Sequence, residues 1–244
     1  MTLWLSLLAC GTPSPDTGTL AEDSDSPPAA PPDWCLAPEE GTLQAITRDH
    51  PGAPYFLSHP LSASETTPTV LFLGGGAGDQ GSAQASWDLF FTQGDGIAEV
   101  RVVLPWADSG TLSDDPSRIL SVRDEVLDCY GGDPEQVHLA GTSNGGRLAY
   151  DLALEGTGGF ATLLGIPGVP SQWTAEGLAA PLAGLRIYNA VGSEDTGWKS
   201  EVERVHAAMI EAGLDATYDE LEDQGHVVDP DWDETVLYDF WLDR

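Results

Sequence analysis

Basic residues are scarce in this sequence. Nine Lys and Arg side chains stand against 40 Asp and Glu, which leaves a formal net charge of −31, and Lys199 is the only lysine. Such a surface repels phosphate groups, which argues against nucleic-acid binding and against direct adhesion to anionic lipid. The acidic residues are spread along the chain, so the composition indicates a solvated, self-repelling surface.

Long apolar runs are also missing, and none approaches the roughly 18 residues that a membrane-spanning helix needs. The chain has 244 residues, of which 41% are hydrophobic. A globular protein of this length can form one domain with a sizeable core. We therefore expect a single domain that contacts a membrane only through an attached lipid.

Cysteine is rare, and the first of the three cysteines, Cys10, ends the apolar stretch "MTLWLSLLAC" (1–10). This signal segment resembles the lipobox of bacterial lipoproteins, in which the cysteine is lipidated. No Lys or Arg precedes the run, and an apolar N-terminus without this role is the alternative. Residues 11–34, rich in Pro, Ser, Thr and Asp, predict a disordered tether. We expect an exported protein: a lipoprotein on the cell envelope, or else secreted or periplasmic.

The other two cysteines, Cys35 and Cys129, lie in the predicted globular domain, residues 35–244. In an exported protein, two remaining cysteines predict a disulfide. Two buried free thiols are the alternative, because the sequence does not show whether the two side chains approach each other.

The regular part of the chain alternates short apolar runs with segments of helical spacing. Runs too short for helices and too apolar for a half-exposed sheet predict buried, mostly parallel strands: 69–76, 100–106, 137–141, 161–166 and 185–192, with 216–222 following later. Helical spacing recurs at 116–130, 145–154, 199–214 and 233–242. Early antiparallel strands are expected within 43–60. The predicted class is α/β, a single domain with helices on both faces of the sheet and no large lid domain.

The stretch "GTSNGG" (141–146) carries the first chemical signal. A serine in the pattern G-x-S-x-G occupies a strained turn between a strand and a helix, and the glycines remove side chains that would clash there. Here the pattern follows a predicted strand and precedes a predicted helix. Ser143 is therefore predicted to be a nucleophile.

A serine hydroxyl needs a base to take its proton and an acid to orient that base. Among five histidines, His226 is the best placed, in a loop after the predicted strand 216–222. The acid is predicted to be Asp195, after the strand that ends at Gly192, with Glu194 as the alternative. The order Ser143, Asp195, His226 is typical of α/β hydrolases.

A tetrahedral intermediate also requires donors for its oxyanion. The backbone N–H of Asn144 is the first candidate, because it follows the nucleophile. The glycine-rich loop 71–82 offers a second, assigned to Gly76 or Ala77 within a residue or two. This loop lacks the G-x-G-x-x-G spacing and the Walker lysine of nucleotide-binding loops.

These motifs resemble the α/β-hydrolase superfamily, and within it the polyhydroxybutyrate depolymerase, feruloyl esterase and acetyl xylan esterase group. In that group "D-P-x-R-V-Y-x-x-G-x-S-N-G-G" leads to the serine. The matching residues here are Asp133, Pro134, Val137, Gly141, Ser143, Asn144, Gly145 and Gly146. The resemblance implies a secreted hydrolase of small-molecule or polymeric esters that uses no metal and no cofactor. "LGGG" replaces the group's common His-Gly, and "GHVVDPDW" replaces its Trp-Pro context, so the particular ester is not implied.

Several tryptophans are predicted on the rim of the same site: Trp87, Trp106, Trp173 and Trp198. They serve either ordinary packing or an aromatic platform for substrate, with Trp198 the best placed. The sequence as a whole predicts an exported serine hydrolase that cleaves carboxylic esters through an acyl-enzyme. A catalytically dead hydrolase fold that acts as a surface binding protein, and a serine peptidase on the same fold, are the alternatives.

Overall fold

The computed structural model of the chain describes residues 32–39, 41–47, 53–92, 95–156 and 158–244. The predicted signal segment with Cys10, the predicted tether up to residue 31, and His50 lie outside the described residues. No helix in the described ranges is long and apolar enough to cross a membrane.

One sheet of eight strands forms the centre of the molecule. Its spatial order is β1-β2-β4-β3-β5-β6-β7-β8. The first two strands are antiparallel to their neighbours, and the other six run parallel. The strands are β1 (Leu43–Ile46), β2 (Tyr55–Ser58), β3 (Thr69–Leu73), β4 (Arg101–Pro105), β5 (Val137–Gly141), β6 (Thr162–Gly165), β7 (Arg186–Gly192) and β8 (Asp215–Leu221). The predicted α/β class is confirmed.

In the described ranges six α-helices flank the sheet, and two of them have no counterpart among the predicted helices. They are α1 (Gln80–Phe90), α2 (Ser117–Tyr130), α3 (Asn144–Leu154), α4 (Ala175–Ala179), α5 (Lys199–Glu211) and α6 (Thr235–Leu242). Helix α1 was not predicted because it is mostly Gln, Ser, Ala and Gly, and it buries only Ala83, Ser86 and Phe90. The short α4 was also missed.

The sheet divides the core into two apolar layers, as buried parallel strands require. One layer packs α2, α3, α4 and α5 against the sheet. The other packs α1 and α6 against the opposite face, around Phe72, Phe91 and Trp241. Every residue of β3, β4 and β5 is buried, which explains their continuous apolar sequences.

The N-terminal part of the described chain is joined to α2 by a disulfide between Cys35 and Cys129, 94 residues apart. The bond is the predicted pairing. Near it, Arg101 is fully buried and donates to the carbonyls of Tyr130 and Gly131 at the end of α2. Burial lowers the pKa of Arg101 to about 10. A cation bound to the carbonyls at a helix C-terminus is favourably placed.

Candidate active site

Ser143 lies on the sharp turn between β5 and α3. Its φ is 56° and its ψ is −121°, a strained conformation that few non-glycine residues adopt. The backbone N–H of Ser143 donates to the carbonyl of Pro167 at 2.9 Å, which fixes the turn against the loop after β6. A strained serine on a strand-to-helix turn is typical of a nucleophile elbow.

The glycines of "GTSNGG" let the helix approach the strands closely. A Cβ on Gly145 would lie 2.1 Å from the carbonyl oxygen of Leu73, in the neighbouring strand β3. A Cβ on Gly141 would lie 2.5 Å from the carbonyl oxygen of Gly145 itself. Only glycine fits at either position, so the local sequence is what allows α3 to begin directly under Ser143.

His226 lies in the loop after β8 and reaches back over the elbow. Its Nε2 is 2.9 Å from Ser143 Oγ, and its Nδ1 is 2.7 Å from Asp195 Oδ2. A carboxylate only accepts, so Nδ1 must carry the hydrogen, which leaves Nε2 as an acceptor for the serine hydroxyl. The three side chains therefore form one continuous hydrogen-bonded chain.

Asp195 is buried, with 5% of its surface exposed, and it is held from its other side. Its Oδ1 accepts from the backbone N–H groups of Gly197 at 3.1 Å and Trp198 at 3.2 Å. Glu194 is exposed, and within the described residues its side chain makes no hydrogen bond. Of the two acids that the sequence left open, the structure brings Asp195 to His226.

Two of the predicted oxyanion donors, Gly76 and Asn144, lie beside Ser143. The loop after β3 passes so close that a Cβ on Gly75 would lie 3.2 Å from the Cβ of Ser143. The side chain of Asn144 donates to the carbonyl of Gly76 at 2.9 Å, which ties this loop to the elbow. In the described chain the backbone N–H groups of Gly76, Ala77 and Asn144 donate to no protein group, so they are available to a ligand.

Three solved esterase structures share this arrangement of strands and helices. S-formylglutathione hydrolase from Staphylococcus aureus is 13% identical, covering 82% of this chain and 97% of its own, with a TM-score of 0.61. A carboxylesterase from Mesorhizobium loti is 17% identical, covering 83% and 99%, with a TM-score of 0.58. A CE1 ferulic acid esterase from Anaeromyces mucronatus is 13% identical, covering 86% and 93%, with a TM-score of 0.57.

The chain has the α/β-hydrolase fold. The resemblance expected from the sequence is thus confirmed at the level of the fold, including its likeness to a ferulic acid esterase. No protein-family model matches the sequence, and no curated protein sequence matches it either. Similarity below 20% identity leaves the chemistry to be argued from the site itself.

A cleft of about 410 Å³ opens beside Ser143 on this α/β-hydrolase scaffold. One wall is formed by residues of α1 between Ser82 and Phe90, and the other includes His226 and Val227. Gly75, Gly76 and Thr142 complete the floor. In the part of the chain that the structure describes, His226 is the only titratable side chain that lines the cleft. The cleft therefore suits an uncharged group.

Two of the predicted aromatic contacts lie elsewhere. Trp106 is 3% exposed and packs on Phe56, with ring centroids 4.6 Å apart, so it belongs to the core and has no surface to offer a substrate. Trp87 stacks on Phe91 and lines a separate cavity with His59 and Leu61. Ala77 also lies outside the cleft lining, and its carbonyl accepts from Leu112. The rim prediction was wrong for both tryptophans, because strand ends and helix faces direct them away from Ser143.

Trp198 does reach the site, but it contacts His226 and does not line the cleft. The indole stacks on the imidazole, with centroids 5.6 Å apart and planes 25° apart. The guanidinium of Arg147 lies 4.3 Å from the centre of the same indole and pairs with Glu201 at 3.0 Å. Sequence reasoning missed Arg147, although its position four residues after the nucleophile places it one helical turn along α3.

The other described histidines serve the fold. His138 is buried in β5 with its Nδ1 3.0 Å from Thr162 Oγ1, and burial, assisted by Arg186, lowers its pKa to about 4. His59 is buried beside Arg101, and burial together with that cation lowers its pKa to about 4. His206 is partly buried against Tyr218, and desolvation lowers its pKa. None of these three rings lines the cleft at Ser143.

Proposed function

We propose that this protein is a serine hydrolase that cleaves carboxylic esters through an acyl-enzyme. The observation that carries the proposal is the continuous chain of hydrogen bonds from Asp195 through His226 to Ser143, beside an open apolar cleft. Three esterases with the same fold support the same chemistry.

The proposal gives each of these groups a role. Asp195 fixes the imidazole with its Nδ1–H toward the carboxylate, so Nε2 takes the proton as Ser143 Oγ attacks the ester carbonyl. The backbone N–H of Asn144, with that of Gly76 or Ala77, donates to the developing oxyanion. The imidazolium then gives its proton to the leaving alcohol, and water repeats the sequence on the acyl-enzyme.

The proposal is tested with p-nitrophenyl acetate and a fluorophosphonate probe. Ser143→Ala and His226→Ala should each lower kcat by at least about 1,000-fold and abolish labelling. Asp195→Asn should lower kcat by a similar order, whereas Glu194→Gln, its exposed neighbour, should leave kcat unchanged. Ser121→Ala, on α2, is the control for serine removal. Full activity in Ser143→Ala would refute the nucleophile, and absence of labelling in the wild type would favour a non-catalytic binding protein.

We also propose that the enzyme acts outside the cytoplasm, held to the cell envelope through a lipid on Cys10. The disulfide between Cys35 and Cys129 supports export, because such bonds persist in oxidising compartments. Expression with a radiolabelled fatty acid should label the wild type but not Cys10→Ser, and the variant should leave the membrane fraction. Equal fractionation of the two proteins would refute the anchor.

A further inference from the structure

We infer that the cleft beside Ser143 binds an unsubstituted hydrocarbon acyl chain of medium length, an inference that rests on the proposed ester hydrolysis. The first observation is the wall that α1 presents to the nucleophile. Residues of α1 that line the cleft, Ser82, Ala85, Ser86 and Leu89, are spaced three or four apart, so they follow one face of the helix. Small side chains at the first three leave a groove that leads away from Ser143.

The hydroxyl groups in this wall have no hydrogen left to donate. Ser82 Oγ donates to Asp79 Oδ1 at 2.8 Å, and Ser86 Oγ donates to the carbonyl of Ser82 at 2.9 Å. Thr142 Oγ1, on the floor, donates to the carbonyl of Ile166 at 2.6 Å. A carboxylate or methoxyl group of a substrate, which can only accept, would lose its hydrogen bonds from water and find no side-chain donor here.

The apolar lining extends to the mouth of the cleft. Phe90 closes the far end of the α1 wall, and Val227, next to His226, leaves 69% of its surface exposed. An exposed apolar side chain beside the reacting imidazole is covered if a hydrocarbon chain lies between it and α1. Among the described residues, the lining of the cleft includes no Asp, Glu, Lys or Arg that would favour a charged substituent on the substrate.

The acyl side of the ester is the side that fits this groove. The leaving oxygen must lie beside His226 Nε2 to receive its proton, whereas α1 follows directly from the loop that holds the oxyanion donors. The wall from Ser82 to Leu89 spans about 10 Å at the rise of an α-helix, the length of an extended chain of roughly eight carbons. We therefore expect a preference for hexanoyl to octanoyl esters.

The test is a series of p-nitrophenyl esters from acetyl to dodecanoyl, with an alkyl acetate series beside it. For the wild type, kcat/KM should rise up to about fourfold per methylene to a maximum at hexanoyl or octanoyl. Alkyl acetates should show no comparable rise. Methyl ferulate should be no better than methyl cinnamate, because its methoxyl group finds no donor. An acetyl optimum, a rise confined to the alkyl acetates, or a tenfold preference for ferulate would overturn the inference.

Two variants link the preference to α1. Ser86→Leu fills the groove, and Ala85→Leu narrows it from an exposed position, where a larger side chain should leave folding intact. Each should lower the octanoyl-to-acetyl ratio of kcat/KM at least tenfold. Gln84→Leu places the same side chain on the same helix outside the cleft and should leave the ratio unchanged.

The Ser143→Ala variant separates the two levels of the proposal. If it loses acetate hydrolysis while Ala85→Leu leaves the chain-length profile unaltered, the acyl groove is wrong and the esterase stands. If Ser143→Ala retains acetate hydrolysis, the proposed function itself fails.

Discussion

The stack of Arg147, Trp198 and His226 predicts that Trp198 positions the base and does not bind substrate. A histidine between a buried carboxylate and a serine can still tilt about its bond to the chain. The indole restricts that motion, and the guanidinium of Arg147 holds the indole. An aromatic contact and a partly buried cation–π contact together contribute about 1–2 kcal/mol.

Trp198→Leu removes both contacts and keeps an apolar side chain. If their free energy is used to orient His226 in the transition state, kcat should fall roughly 5- to 30-fold while KM changes less than twofold. Trp198→Phe keeps a planar ring and should recover most of the rate. The kcat of Arg147→Met should lie between those of Trp198→Leu and Trp198→Phe. Steady-state hydrolysis of p-nitrophenyl acetate and the rate of fluorophosphonate labelling measure these effects.

The structure offers a matched control for this experiment. Trp173 also has an arginine near its ring, with the guanidinium of Arg204 5.4 Å from the centroid, but it makes no contact with His226. Trp173→Leu should leave kcat unchanged. A rise in KM with unchanged kcat in Trp198→Leu would instead identify the indole as a contact for the substrate. An equal loss of kcat in Trp198→Phe and Trp198→Leu would refute the positioning of His226 by the plane of the ring.

Three further predictions concern the scaffold. Gly145→Ala should destabilise the fold by about 1–3 kcal/mol and lower kcat roughly 100-fold, because the added Cβ would meet the carbonyl of Leu73 and displace the turn at Ser143. In urea titrations the control Gly81→Ala, in α1, should be neutral or stabilising. Replacing Cys35 and Cys129 by Ser should cost up to about 4.7 kcal/mol, the chain-entropy value for a 94-residue loop, and unchanged thermal stability would contradict a closed disulfide. The lowered pKa of buried His138 means that the unfolded chain binds a proton before the folded chain does as the pH falls. The free energy of unfolding should therefore be greatest above about pH 6.5 and decrease by roughly 3 kcal/mol toward about pH 4. Urea midpoints should depend less on pH in His138→Gln than in the wild type, and parallel curves for the two proteins would disprove the assignment.

Local sequence patterns predicted most of the scaffold, because buried strands and helices have characteristic patterns of apolar residues. The strands β3 to β7 are buried on both faces, so their sequences are nearly continuous apolar runs. Helix α1 escaped prediction because Gln, Gly, Ser and Ala dominate its sequence, and only Ala83, Ser86 and Phe90 are buried. Ser86 is buried with a hydrogen bond to the helix backbone, so its burial gives no hydrophobic signal in the sequence.

The sequence could not decide between neighbouring candidate site residues, because the direction of each side chain depends on tertiary packing. Glu194 and Asp195 both follow β7, and only the turn after the strand directs one carboxylate inward and the other to solvent. Trp87, Trp106 and Trp198 all stood near strand or helix ends. Their positions on a helix face, in the core and beside His226 depend on packing between elements distant in the chain.

The sequence by itself determined the alternation of strands and helices, the strained turn at Ser143 and the need for glycine at Gly141, because these depend on local backbone conformation and burial. The need for glycine at Gly145 comes from the tertiary structure, because its Cβ would meet the carbonyl of Leu73 in β3. The tertiary structure decided that Ser143, Asp195 and His226 meet. They follow β5, β7 and β8, and the distances between them are set by the order and parallel register of those strands. That order arises from the packing of the whole sheet, which no local stretch of residues encodes.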